Sequence, residues 1–86
     1  MKKIIYGKNK NIISTNLKIY RMKKNLSQSQ LAAKMQTMNV NMDQQIISKI
    51  ENNARFVTDN ELACLCLILE IDLKDMLGHF YNELET

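Results

Sequence analysis

The chain has no proline in its 86 residues and only two glycines, Gly7 and Gly78. Tight β-turns draw on both residue types, because proline presets one backbone angle and glycine alone takes positive φ without strain. A protein of many short strands would lack its turn chemistry here, so the composition points to an all-α fold with short connections. Asparagine is the next best residue at positive φ. Asn25 and Asn39 each follow a stretch of helical spacing and are expected as helix ends. Hydrophobic residues make up 45% of the chain, enough for a packed core and against disorder. A chain this short buries only about 60% of its unfolded surface, so one small domain is expected and a deep active site is not.

Five short helices can be read in order. Ile13, Leu17, Tyr20 and Lys24 share a face and predict a helix from about Thr15 to Lys24, with Ser14 as its N-cap. Ser27-Gln28-Ser29-Gln30 fits a capping box and opens a second helix with the stripe Leu31, Met35 and Met38. Val40 and Met42 are placed to pin the connector that follows. Asp43 caps a third helix from Gln44 to about Asn52. Thr58-Asp59-Asn60-Glu61 is a second capping box, opening a fourth helix over Asp59 to Leu69. Asp72 and Asp75 begin a fifth, from Leu73 toward the C-terminus. Residues 1–12 read as a mobile basic arm, 13–77 as the helical body and 78–86 as a tail or an extension of the fifth helix.

The net charge of +3 conceals a strong polarity. Residues 1–55 carry eleven basic and two acidic side chains, a net of +9, whereas residues 56–86 carry one basic and seven acidic ones, a net of −6. One end of the molecule is thereby suited to a polyanion. The longest apolar run, Leu62 to Leu69, is far short of the ~20 residues a bilayer span needs. The apolar stretch at Ile4-Ile5 stops too soon for a signal peptide. A soluble, cytoplasmic protein without a membrane partner is expected. Cys64 and Cys66 stand two apart in an apolar run, where a helix points them in different directions, and His79 is the one histidine. Buried thiols are expected, with no metal and no cofactor.

The third helix has two faces. Ile46, Ile47 and Ile50 fall together and are expected to be buried, while Gln44, Gln45, Ser48 and Lys49 point elsewhere. Ordinary solvated surface is one reading of that polar face. The other is chemical: a glutamine amide both donates to and accepts from the major-groove edge of adenine, and a lysine reaches guanine or phosphate. An α-helix fits the major groove of double-stranded DNA, where residues near its N-terminus meet the bases. Ser27 and Gln28, at the start of the preceding helix, suit a phosphate.

Leu26-Ser27-Gln28-Ser29-Gln30-Leu31-Ala32, followed by Ile47-Ser48-Lys49-Ile50-Glu51-Asn52-Asn53, resembles the Cro/C1-type helix-turn-helix, or XRE, family of phage and bacterial regulators. Val57 to Leu62 and Ile71-Asp72-Leu73 continue the likeness, which covers roughly residues 13–77. It implies a lambda-repressor-like domain, with Gln44, Gln45 and Lys49 on bases and Ser27, Gln28, Asn53 and Arg55 on phosphates. It also implies an internal ion pair between Arg21 and Glu51. Three departures stand out. The gap between the two motif blocks is longer than usual, which leaves the angle of the third helix open. Asn25, Asn39, Asn53 and Glu70 occupy positions where the family has glycine, and Asp43 is an unusual choice beside DNA.

A second surface lies on the acidic side. The fourth helix is apolar almost all round, and Leu67 stands where the family has a polar residue. Leu73, Leu77, Phe80 and Leu84 follow with the spacing of a helix–helix seam, interrupted by Gly78. A homodimer through these residues is one expectation; a tail folded over its own core is the other. The leading functional expectation is a sequence-specific DNA-binding transcriptional regulator, a repressor or an activator. The alternative is a helical protein–protein module, such as an antitoxin-like adaptor with an apolar C-terminal face. With one histidine, no nucleophile–base set and no phosphate-cradling glycine loop, no catalytic residue is assigned.

Overall fold

Every helix begins where a side chain can satisfy free backbone amides or where the preceding loop is held in place. The computed structural model describes residues 9–78 together with Phe80 and Tyr81. Along it run α1 (Ser14–Lys23), α2 (Gln28–Thr37), α3 (Gln44–Glu51), α4 (Asp59–Leu69) and α5 (Leu73–Leu77). Both capping boxes form: the Ser27 and Thr58 hydroxyls accept from the amides of Gln30 and Glu61, whose side chains reach back. Asp43 caps α3 by accepting from the Ile46 amide at 2.8 Å.

The helix ends follow one device. Asn25, Asn39, Asn53 and Glu70 all have positive φ, between 57° and 62°. At each, the amide of the next residue turns back to a carbonyl in the last helical turn, as from Val40 to Met35 at 3.1 Å and from Ala54 to Lys49 at 2.8 Å. These are Schellman endings, built with asparagine and one glutamate in place of glycine. Gly78 also has positive φ, 61°, and is a glycine for a second reason as well. A Cβ there would lie 2.6 Å from the Asn16 amide nitrogen, which donates to the Met76 carbonyl.

Several expectations need correction. Ser14 is the first helical residue, not the cap; Ile13 precedes it without a side-chain bond to the helix. The Asn11 side chain accepts from the Ile13 amide instead, so the turn tightens one residue earlier. The α5 helix runs from Leu73 to Leu77, Phe80 and Tyr81 are helical again beyond Gly78, and Asp72 makes no side-chain cap bond. Ile46 is half-buried. Residues 9–12, read as part of a mobile arm, are tied down, because Asn11 donates to the carbonyls of Ile50 and Arg55 at 3.0 Å. Ile4, Ile5, Tyr6 and Leu84 lie outside the described residues.

The core is one cluster. Leu17, Leu31, Met35, Met42, Ile47, Ile50, Leu65, Leu69 and Met76 are fully enclosed. Val40 and Met42 hold the α2–α3 connection against that core, and Gln36 closes it by donating to the Met42 carbonyl at 2.6 Å. In α4, Cys64, Leu65, Cys66 and Leu69 are buried while Leu67 stays 66% exposed. Burial, with Asp72 nearby, pushes the Cys66 thiol above its ordinary value. No helix among the described residues is long and apolar enough to cross a membrane.

Candidate nucleic-acid interface

Packing on α1 and α2 fixes the orientation of α3. Ile47 and Ile50 are fully buried, and this turns the opposite side of the same helix outward. Gln44, Gln45 and Lys49 are all exposed there, with Ser48 half-buried between them. The buried isoleucines therefore determine where the two amides and the ammonium point.

Behind this face lies a polar network that joins three helices. Arg21 donates through Nε to Glu51 Oε2 at 2.6 Å and through Nη2 to Oε1 at 3.0 Å. Its Nη1 donates to the Leu26 carbonyl at 2.8 Å. The two side chains are only 10% and 3% exposed. The Glu51 hydrogen bond raises the Arg21 pKa above its ordinary value, with burial opposing. The expected ion pair between Arg21 and Glu51 is thus present, and it fastens α1 to α3. Gln28 joins it, donating to Glu51 Oε1 at 3.1 Å, while Gln44 Nε2 stands 3.5 Å from Gln28 Oε1.

Four residues were expected at phosphates. Ser27 is exposed, and its oxygen already accepts the Gln30 amide at 3.0 Å, which leaves the hydroxyl proton to give. Gln28 is half-buried, with one N–H committed to Glu51. Asn53 is occupied within the protein, since its Oδ1 accepts from the amides of Lys10 and Asn11 at 2.8 and 3.0 Å, and its Nδ2 donates to Asn9. Arg55 forks onto Glu61 with bonds of 2.9 and 3.1 Å and also donates to the Phe56 carbonyl. The hydrogen bond from Arg55 lowers the Glu61 pKa, burial opposes it and the Thr58 amide assists. Asn53 and Arg55 hence spend most of their donors on internal partners. The Lys10 ammonium sits 5.0 Å above the Phe56 ring, and that ring is 68% exposed.

Three participants escaped the sequence reading. Asn11 looks like one polar residue among many, although its crowding with Asn9 in the sequence is a weak signal. Glu61 was legible only as a cap, since nothing in a linear pattern pairs it with Arg55. The link from Gln28 to Glu51 joins residues 23 positions apart and has no local signature.

A family model described as helix-turn-helix matches residues 17–75, well over half of the chain. The chain belongs to the XRE-type helix-turn-helix family. No curated protein and no solved structure was found to match it. As an XRE-type helix-turn-helix protein it is a DNA-binding regulator in class, and α2 and α3 are the pair of helices that names the motif. In this XRE-type domain the turn between them, from Met38 to Asp43, is wide and tied to the core at both ends.

Proposed function

We propose that this protein is a sequence-specific transcriptional regulator of Cro/C1 type that reads the major groove of double-stranded DNA with α3. The observation that carries the reading is the division of that helix, with Ile47 and Ile50 enclosed and Gln44, Gln45 and Lys49 exposed. Gln44 and Gln45 offer donor–acceptor pairs suited to adenine, and Lys49 suits guanine. Ser27 and Gln28, at the start of α2, hold the phosphate backbone. Asn53 and Arg55 assist with the donors left free by their internal bonds. Its target places its work inside the cell, in the cytoplasm.

Two modules read more sequence than one. A homodimer through Leu67, Leu73, Leu77 and Phe80, with Leu84, would address half-sites one helical turn apart, about 34–36 Å. Leu67 and Leu73, 66% and 46% exposed, support such a contact. The same exposure supports a second reading, an adaptor whose C-terminal face binds a different protein.

Selection from a random duplex library, followed by footprinting of the selected site, tests the proposal. A short, roughly symmetric site is expected, with a log–log salt slope of roughly −4 to −5 per protomer. Gln44→Ala and Gln45→Ala should each lower preference for that site about tenfold or more, leaving non-specific binding intact. Equal binding of every duplex by the unaltered protein would remove the reading.

A further inference from the structure

We propose that the apolar groove beside Phe56 is a docking site for the chain's own Ile4-Ile5-Tyr6, which covers the exposed ring. The contact lies within one chain and does not depend on DNA binding.

The groove has a volume of about 390 Å³, and Ile12, Ile13, Phe56, Val57, Leu62 and Leu77 form its apolar walls. Phe56 is 68% exposed, although an aromatic ring is among the side chains that gain most from burial. Ile12, Val57, Leu62 and Leu77 are only half-buried. The walls are also held still. Asn53 Oδ1 accepts from the Lys10 and Asn11 amides at 2.8 and 3.0 Å, and Asn11 donates to the Ile50 and Arg55 carbonyls at 3.0 Å. An apolar wall fixed in this way loses little freedom when a side chain packs on it.

Position and composition select the occupant. Asn9 and Lys10 line the groove themselves, and the Lys10 ammonium stands 5.0 Å from the centre of the Phe56 ring. Among the eight residues before Asn9, Ile4, Ile5 and Tyr6 stand together between Lys2-Lys3 and Gly7-Lys8. Five residues of chain span at most about 17 Å, so Ile5 is within reach of the ring beside Lys10. Gly7 gives the chain the backbone freedom to turn back toward the groove. Lys2, Lys3 and Lys8 flank the triplet, and repulsion from Lys10 keeps their ammonium groups in water while the apolar side chains pack. A segment on so short a tether acts at an effective concentration in roughly the millimolar range. A second copy at micromolar concentration competes poorly for a patch of this size.

The test uses the full chain and four variants. These are Ile4→Ser/Ile5→Ser, Phe56→Ala, the combination of those three changes, and Lys2→Ser/Lys3→Ser as a control in the same segment. None of them removes a side chain of the buried cluster. At low protein concentration Ile4→Ser/Ile5→Ser is expected to lower the melting temperature by about 5–10 °C. The control should shift it by less than about 2 °C. The combined variant should melt close to Ile4→Ser/Ile5→Ser, because both sets of changes remove the same contact. Nuclear magnetic resonance spectra of the unaltered protein should join the Ile4 or Ile5 methyl groups to the Phe56 ring. Unchanged melting in Ile4→Ser/Ile5→Ser, with the Val57, Leu62 and Leu77 signals unshifted, would overturn the proposal. Additive losses without those methyl–ring cross-peaks would place the segment elsewhere and overturn it too. A loss seen only at high concentration, with a fall in sedimentation coefficient, would assign the groove to a second copy instead.

Discussion

Asp43 puts a carboxylate at the edge of the face proposed to meet DNA, and the start of α3 explains why. The Ile46 amide needs an acceptor, and Asp43 supplies one at 2.8 Å. Serine caps about as well as aspartate but carries no charge to repel a phosphate. Asp43→Ser is therefore expected to leave stability within about 0.5 kcal/mol and to raise DNA affinity a few-fold at low salt. The gain should fade as salt screens the charge, and titrations at two ionic strengths would reveal it. Glu61 sets a different balance, between Arg55 and the Thr58 amide. Its folded pKa lies below the ordinary 4.5, so its stabilisation is complete above that value and is lost as pH falls through the folded one. Glu61→Gln keeps an acceptor for the cap and loses the charge. A cost of about 1 kcal/mol is expected near neutral pH, because Arg55 is partly exposed. That cost should shrink toward zero in strongly acidic buffer, below the lowered folded value, as the native side chain protonates. Urea denaturation at both pH values checks it.

At the scale of elements, the α2–α3 connection decides how α3, the proposed reading helix, is held. Its length departs from the usual family spacing, yet it is closed tightly. Asn39 ends α2 at φ 62°, Val40 and Met42 are buried, and Gln36 bonds the Met42 carbonyl. Met42→Ala should cost about 2–5 kcal/mol by leaving a cavity beneath the start of α3. Asn41→Ala, at an exposed position of the same connection, should fall within about 0.5 kcal/mol of the native protein. Thermal melts of the pair separate a packed connector from a passive one. Helix starts and stops in this chain are legible from its residues, because capping boxes and αL positions are local chemistry. The start of α1 is not, because the Ile13 amide is satisfied by Asn11, which long-range bonds to Ile50 and Arg55 hold in place.

Across the whole molecule, charge and apolar surface separate. The half with net +9 contains α2 and α3, and the half with net −6 contains Leu67 and Leu73. Such a division would keep the proposed contact between proteins away from the nucleic acid and allow both at once. Leu67→Glu tests it, because Leu67 gives little to its own core. The variant should melt within a few degrees of the native protein at low concentration, while self-association is lost in sedimentation at high concentration. A native chain that sediments as a monomer throughout would dispose of the homodimer.

Composition, capping motifs and the spacing of apolar residues determine by themselves that this chain makes five short helices, where four of them begin, and that α3 hides Ile47 and Ile50 and shows its glutamines. Each of these depends on neighbours within about one helical turn. Tertiary structure alone decides what the remaining polar groups do. Asn53 holds the incoming chain, Arg55 grips Glu61, and Glu51 collects donors from both α1 and α2. The physical reason is that a buried donor or acceptor must find a partner wherever packing brings one, and packing joins residues that lie far apart along the chain.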